Sequence, residues 1–193
     1  MINNALQTVA KELNGYLMRK FQLHEDKAIL GGILNESGSV PEGNKDKVLI
    51  TLVNLEQDSS HYRYSNFQKA GETSNSQYNV PFNFNLDVLI TALFNDYSEA
   101  LKFLSEAIYF FQAKNLFNHQ NTPDLDPDIQ QLTFEVIKLS YHEVHSLWSA
   151  LGAKYMPSVL FKMRILSFQG DQVQQVIAAV GEKGSGVNPT SNG

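Results

Sequence analysis

The sequence contains no cysteine, so disulfides, thiolate metal sites and a thiol nucleophile are all excluded. That absence suits a reducing compartment. Charge is also sparse: Asp, Glu, Lys and Arg make up 18% of residues, and the formal net charge is −5. No cluster of Lys and Arg resembles a phosphate-binding stripe, which argues against a nucleic-acid partner. No apolar run reaches the roughly 18–20 residues that span a bilayer, so direct membrane insertion is not expected. The opening MINNALQTVAKEL lacks a basic region followed by an apolar core and does not read as a secretory signal. Synthesis and folding in the cytoplasm are the expectation.

Catalytic signatures are missing too. Gly31-Gly32 lacks both the lysine of a P-loop and the spacing of a dinucleotide fingerprint. There is no Gly-x-Ser-x-Gly elbow. His142 and His145 stand three apart on an expected helix with Glu143 between them. A metal site needs a third ligand, and neither Glu135 nor Asp128 has a telling spacing, so the pair reads as solvated. Asp124, Asp126 and Asp128 alternate, but the turn glycine and the later bidentate Glu of a calcium loop are absent, and Pro127 interrupts the run. They read as loop solubility. No enzyme activity, metal or cofactor is expected.

What is present is enough for one domain with a substantial core: 193 residues, 42% of them hydrophobic, with 12 Phe and 8 Tyr. Low charge with many aromatics hints at apolar surface kept for partners. Ile2, Ala5, Leu6, Val9, Leu13 and Leu17 recur at three- and four-residue steps, which predicts a helix over 2–20 packed on a sheet. A short strand is expected within Ala28 to Leu34, and a turn-rich loop over 35–46. Lys47 to Glu56 is the clearest strand. Its apolar residues on both faces predict a central position covered on both sides. Residues 57–80 lack periodicity and read as a long loop. Its Tyr62, Tyr64, Phe67 and Tyr78 either anchor a partner or tuck onto the body.

A second long strand is expected over Phe82 to Phe94. Asp96 with Glu99 predicts a capping box for a helix to about Lys114. Tyr97, Leu101, Leu104, Ile108 and Phe111 form one stripe of that helix, with Phe103 and Phe110 beside it, so it should be buried by its own domain or by another subunit. A loop follows over 115–130, then a strand over Gln131 to Leu139. Ser140 and Glu143 predict a second capping box, for a helix reaching Leu151 and ending at Gly152. Trp148 on this helix reads as core. After a Tyr155-Met156-Pro157 turn, the last strand runs from Ser158 to Phe168. It turns Val159, Phe161, Met163 and Ile165 to one side and Lys162 and Arg164 to the other. The two cations are expected to meet carboxylates across the sheet or on a neighbouring subunit. Val173 to Val180 reads as a frayed helix. The expected fold is α+β: a mixed, mostly antiparallel sheet of four to five strands packed with about three helices, in one domain over 1–168, with a flexible tail over 169–193.

Several blocks, in this order, carry a family resemblance: the opening helix, KVLITLVNLEQD, LDVLITALFNDYSEALKFLSEAIYFFQAKNLF, a strand ending KLS before a helix, and LWSALGAKYMPSVLFKMRIL. Together they resemble the tail-terminator, or cap, proteins of phage-tail-like contractile injection systems. The resemblance covers about residues 1 to 168. It implies a hexameric ring with head-to-tail contacts, at the end of the tail distal to the baseplate. It implies inner-tube and sheath proteins as partners, and a role in stopping their growth. It also implies that the chain leaves the cytoplasm only as part of the assembled particle. The candidate partner contacts are Tyr62, Tyr64, Phe67, Tyr78, Tyr155, Lys162 and Arg164. The other reading is an adaptor, or a cargo- or ligand-docking domain, of the same particle. A large apolar pocket in a single chain would favour that reading.

Overall fold

The computed structural model describes residues 1–57, 67–69, 74–77, 84–167 and 176–178, the three short inner segments and Ser167 by backbone alone. The chain divides into two units, one made of Met1–Ser59 and Phe82–Phe168, the other of Ser60–Pro81 and Gln169–Gly193. In chain order the elements are α1 (Ile2–Phe21), β1 (Ala28–Leu30), a single 3-10 turn (Glu42–Asn44), β2 (Lys47–Gln57), β3 (Phe67–Lys69), β4 (Ser74–Gln77) and β5 (Phe84–Leu93). These are followed by α2 (Tyr97–Ala113), β6 (Leu116–Asn118), β7 (Ile129–Val136), α3 (Tyr141–Ala150), β8 (Ser158–Ser167) and β9 (Val176–Ala178).

The larger unit is built on a six-stranded sheet in the order β1-β2-β5-β8-β7-β6. Only β1 and β2 run parallel; the other neighbours are antiparallel. The fold is thus the α+β arrangement expected, with one more strand than the upper estimate. The additional strand, β6, is three residues long and lies in the stretch that Pro123 and Pro127 mark as a loop. Three residues cannot display a period.

One face of the sheet carries α1 and α2. Val9, Leu13 and Leu17 of α1 and Phe103, Ala107, Phe110 and Phe111 of α2 bury against Val48, Ile50, Val88, Phe161, Met163 and Ile165. The centre of this layer is aromatic: Phe111 lies 4.7 Å from Phe134 and 4.8 Å from Phe161, ring centre to ring centre. The other face is covered over only part of its length. There Leu49, Leu89 and Leu160 pack with Ile33 and with Trp148 of α3, which is 4% exposed, in the core as read.

Local chemistry sets the ends of the elements. Asn14, buried on α1, accepts hydrogen bonds from the backbone N–H groups of Lys27 (2.7 Å) and Ala28 (3.1 Å), and so fixes where β1 starts. Asp96 caps α2 by accepting from the Glu99 N–H at 2.8 Å. Among the described residues the reciprocal half of that box is absent, because the Glu99 carboxylate turns to Lys102 at 2.7 Å. The α3 box is complete, with Ser140 and Glu143 each satisfying the other's backbone N–H.

Tyr16 ties the two helices together. Its hydroxyl donates to Glu106 Oε2 at 2.7 Å. That hydrogen bond, and secondarily burial, pushes the phenol up to about 12. A folded value above the roughly 10 of an unfolded chain means the contact stabilises fully below pH ~10. Its contribution is lost as pH rises through about 12. In an ultraviolet phenolate titration, Glu106→Gln should bring one late-titrating tyrosine back towards the ordinary range. An unchanged titration curve would show that the bond does not persist in solution.

Three expectations are corrected. β2 is covered on both faces only as far as Thr51; beyond it Leu52 is 36% and Leu55 44% exposed. The physical reason is that β1 pairs only with Val48 to Ile50, and a bulge at Val53 then shifts the alternation. The stripe of α2 expected to be buried is partly outward, with Tyr97 66% and Leu101 42% exposed. The face that packs instead is Ala100, Phe103, Leu104, Ala107, Phe110 and Phe111, a 3-1-3-3-1 spacing in which two alanines allow close approach. Finally, the stretches read as a loop over 57–80 and as a frayed helix over 173–180 contain strands. In the smaller unit β4 lies between β3 and β9, antiparallel to both, with Phe67 opposite Gln77 and Ser74 opposite Ala178. β4 reads SNSQ, without apolar alternation. β9 reads VIA, too short to separate strand from helix by period.

Candidate functional site

β8 alternates as its sequence dictates. Phe161, Met163 and Ile165 enter the core, while Lys162 and Arg164 lie on the opposite face. Lys162 sits opposite Asp87 on β5 and Glu135 on β7, and its ammonium reaches Glu56 Oε2 at 3.7 Å. Arg164 donates from Nη2 to Glu135 Oε2 at 2.9 Å. Asn54 donates to Asp87 Oδ2 at 3.1 Å, which extends the polar patch to β2. The two cations therefore meet carboxylates across the sheet, one of the two arrangements expected. Both pairs are at the surface, so each contributes about 1 kcal/mol or less. Beyond the part that Trp148 covers, this face is polar, with three carboxylates, Glu56, Asp87 and Glu135, set against the two cations.

The second feature is a strand edge. Val48 donates its N–H to Lys27 O at 2.6 Å, and Ile50 O accepts from Gly31 N–H at 3.1 Å. Even-numbered residues of β2 therefore point their peptide groups outward, away from β5, as far as Leu52. After the bulge the outward positions become Leu55 and Gln57. Among the described residues no strand pairs with β2 on this side from Leu52 to Gln57. Such a row of unpaired donors and acceptors is a template for another strand.

The third feature lies where α3 ends and β8 begins. Gly152 has φ +66°, and the N–H groups of Gly152 and Ala153 bond back to Ser149 O (3.1 Å) and Trp148 O (3.3 Å). This is the left-handed helix stop that glycine allows at least cost. It turns the chain so that Tyr155 meets the Trp148 ring edge-on at 5.7 Å. Tyr155, 65% exposed, then forms one wall of a cleft of about 390 Å³, with Phe94, Tyr97, Met156 and Pro157 among the other lining residues. Nothing blocks a Cβ at Gly152, so Gly152→Ala should cost only the left-handed backbone term, about 1–2 kcal/mol. Chemical denaturation would read this. A loss well beyond that range would mean that the turn carries more than its backbone geometry.

Of the residues expected to contact partners, Tyr155, Lys162 and Arg164 are placed as above. Tyr155 lies in the cleft, away from the two cations. Phe67 is the first residue of β3. Tyr62, Tyr64 and Tyr78 lie outside the described residues. Sequence reading allows for an exposed strand edge without saying which strand bears it, and it missed the contribution of Tyr97 to the cleft and the exposure of Tyr141. A signal for Tyr97 was available: tyrosine at the first position of a capped helix, beside a residue as small as Ala100, leaves space. Two of the three aspartates read as loop solubility bind α1, while Asp128 donates its backbone N–H to Asp126 Oδ1 at 3.0 Å. Asp124 pairs with Lys11, and Asp126 accepts from Asn4 at 2.7 Å. Lys11 holds the Asp124 carboxyl below its ordinary range, and Asn4 is the largest cause of the same shift in Asp126. Among the described residues no group of three or more His, Asp or Glu could hold a metal ion. No described helix is long and apolar enough to cross a membrane.

Comparison with known proteins follows the same lines. No curated protein sequence matches the chain. Two of the similar solved structures are informative. One is the sheath/tube terminator, in its extended state, of PVC, an extracellular contractile injection system, with TM-score 0.55, 19% identity, 99% of this chain covered and 64% of that one. The other is the tube-terminating cap of the anti-feeding prophage, with TM-score 0.52, 15% identity, 100% of this chain covered and 60% of that one. At these identities the likeness is one of fold, and this chain spans somewhat less than two thirds of each of those proteins. The model of the Pvc16 N-terminal domain matches residues 5–182, running past Phe168 into the segment that holds β9. With nearly its whole length matched, the chain belongs to the Pvc16 N-terminal domain family.

Proposed function

We propose that this chain is a structural terminator of a contractile injection system, closing the distal end of the inner tube and sheath and stopping their polymerisation. The observation that carries this reading is the family match, together with two similar structures that are both terminators. The chain acts as a homo-oligomeric ring, hexameric to match a sixfold tail, and it acts by occupying surfaces rather than by catalysis. It works within the assembled particle. The terminator domain takes in the residues of the family match, 5–182, and so reaches past Phe168.

The open edge of β2 supplies a mechanism. A strand from the last sheath layer adds to the outward peptide groups of Leu52, Leu55 and Gln57, and the layer then has no free edge to offer the next one. Lys162 and Arg164, already neutralised, contribute a wet rim rather than an anchor. Leu55→Pro tests the edge. It removes an outward N–H and leaves the bonds to β5, so the melting temperature should change little while sheaths run past their normal length. Normal lengths in particles that carry the folded variant would refute strand addition at this edge.

The adaptor reading draws on the cleft beside Tyr155. Its volume, about 390 Å³, is near the lower end of small-molecule sites. Adding the purified chain to polymerising tube and sheath separates the two readings. A terminator shortens the polymers as its concentration rises; an adaptor leaves their length unchanged.

A further inference from the structure

Side chains hold the outer edge of β2 open. The next rung of the parallel β1–β2 ladder would join the Leu52 N–H to Gly31 O. Thr51, itself buried, donates its hydroxyl to that carbonyl at 2.6 Å instead, and Asn44 Nδ2 donates to Gly32 O at 2.7 Å. The chain therefore leaves β2 at Gly31-Gly32 while β2 runs on. The freed stretch has two unlike faces. Leu52 and Leu55, opposite the buried Val88 and Leu86, turn exposed apolar surface to the side that carries α1 and α2. Asn54 and Glu56, opposite Asp87 and Asn85, lie on the polar side.

We propose that this edge selects an extended segment of a partner protein in which apolar residues alternate with lysine or arginine. A strand added to β2 lays alternate side chains on the two faces. One set meets Leu52 and Leu55, where apolar residues cover surface that β1 leaves bare. The other set meets Asn54 and Glu56, and Glu56 is the only charged side chain between Leu52 and Gln57. Its cation, Lys162, is 3.7 Å away and stands opposite Asp87 and Glu135 as well, so that with Arg164 two cations serve three carboxylates. Asp87 also keeps Oδ1 buried with no hydrogen-bond donor among the described residues. A basic residue on the added strand supplies the missing charge; an acidic one is repelled. The inference rests on the strand addition proposed above and names the chemistry of the added strand.

Three labelled peptides of equal length are titrated with the full chain and read by fluorescence anisotropy: one alternating Val and Lys, one alternating Val and Glu, and one with the Val and Lys of the first gathered into two blocks. The Val/Lys alternation should bind about tenfold more tightly than either of the others. Glu56→Lys, a change at an exposed side chain, should reverse the preference between the Lys and Glu alternations. Leu55→Pro should abolish binding of the alternating peptides in a chain whose melting temperature is unchanged. Equal binding of the alternating and blocked Lys peptides would show charge attraction alone and overturn the proposal. So would tighter binding of the Glu peptide, a preference that Glu56→Lys leaves unaltered, or no binding of any peptide. The terminator reading is judged separately, by the length of particles assembled without the chain. Overlong particles with no peptide preference remove this partner chemistry and leave the function; a clear preference with normal lengths does the reverse.

Discussion

Phe111→Ala is expected to lower the free energy of unfolding of the larger unit by about 3–5 kcal/mol. Phe111 is 2% exposed, and its ring touches Phe110, Phe134 and Phe161, so it joins α2 to both β7 and β8. Truncation removes the transfer free energy of a buried ring and leaves a cavity among other rings, which are stiff and cannot collapse into it. Phe111→Leu should cost clearly less, because most of the volume is retained. The check is a denaturant titration with both variants. A loss below about 1 kcal/mol for the alanine variant would mean that the aromatic layer is not the centre of stability.

Trp148→Ala should have the second-largest effect, also about 3–5 kcal/mol. Its distribution should differ. Trp148 is the only fully buried residue of α3, so this helix is held on the sheet mainly by one side chain. Its loss should free α3 and the turn behind it, including Tyr155, which stacks edge-on against the indole. Amide exchange should therefore rise over 141–157 well before it rises in β5 or β8, as expected for a locally unfolding segment. Uniform loss of protection across the sheet would contradict this division. Since Trp148 is the only tryptophan, fluorescence of the native chain reports on the same site.

How far these features could be read in the sequence depends on their length and their chemistry. The α3 helix was legible at both ends, because Ser140 with Glu143 and Gly152 use side-chain and backbone chemistry that few other residues supply. β5 and β8 were legible because each is 10 residues long, β5 as a near-continuous apolar run and β8 with Phe161, Met163 and Ile165 alternating with Lys162 and Arg164. β6 and β9 were not, since a three-residue strand is defined by its neighbour and not by its own pattern. On α2 the apolar residues go most of the way round, so hydrophobicity alone could not choose the packed face. The small size of Ala100 and Ala107 was the discriminating clue, because bulk there would hold the helix off the sheet.

The candidate site was less legible than the fold, for a physical reason. An edge or a cleft is made by what is missing beside an element. β2 continues seven residues beyond Ile50, the last partner of β1, and only the register of both strands reveals this. Lys162 and Arg164 could be placed on one face by alternation, but their carboxylate partners come from β2 and β7, distant in sequence. Tyr155 was singled out from the turn motif that carried the family resemblance. Its neighbour Tyr97 emerges only when α2 and that turn are brought together.

The central claim, that this chain ends a growing tail, is tested most directly by electron microscopy of particles assembled without it, scoring the lengths of tube and sheath. The account predicts a broad length distribution, with overlong tubes or sheaths that fail to stay extended, and restoration of uniform length when the chain is supplied again. Particles of normal, uniform length in its absence would contradict the claim and leave the adaptor reading in its place.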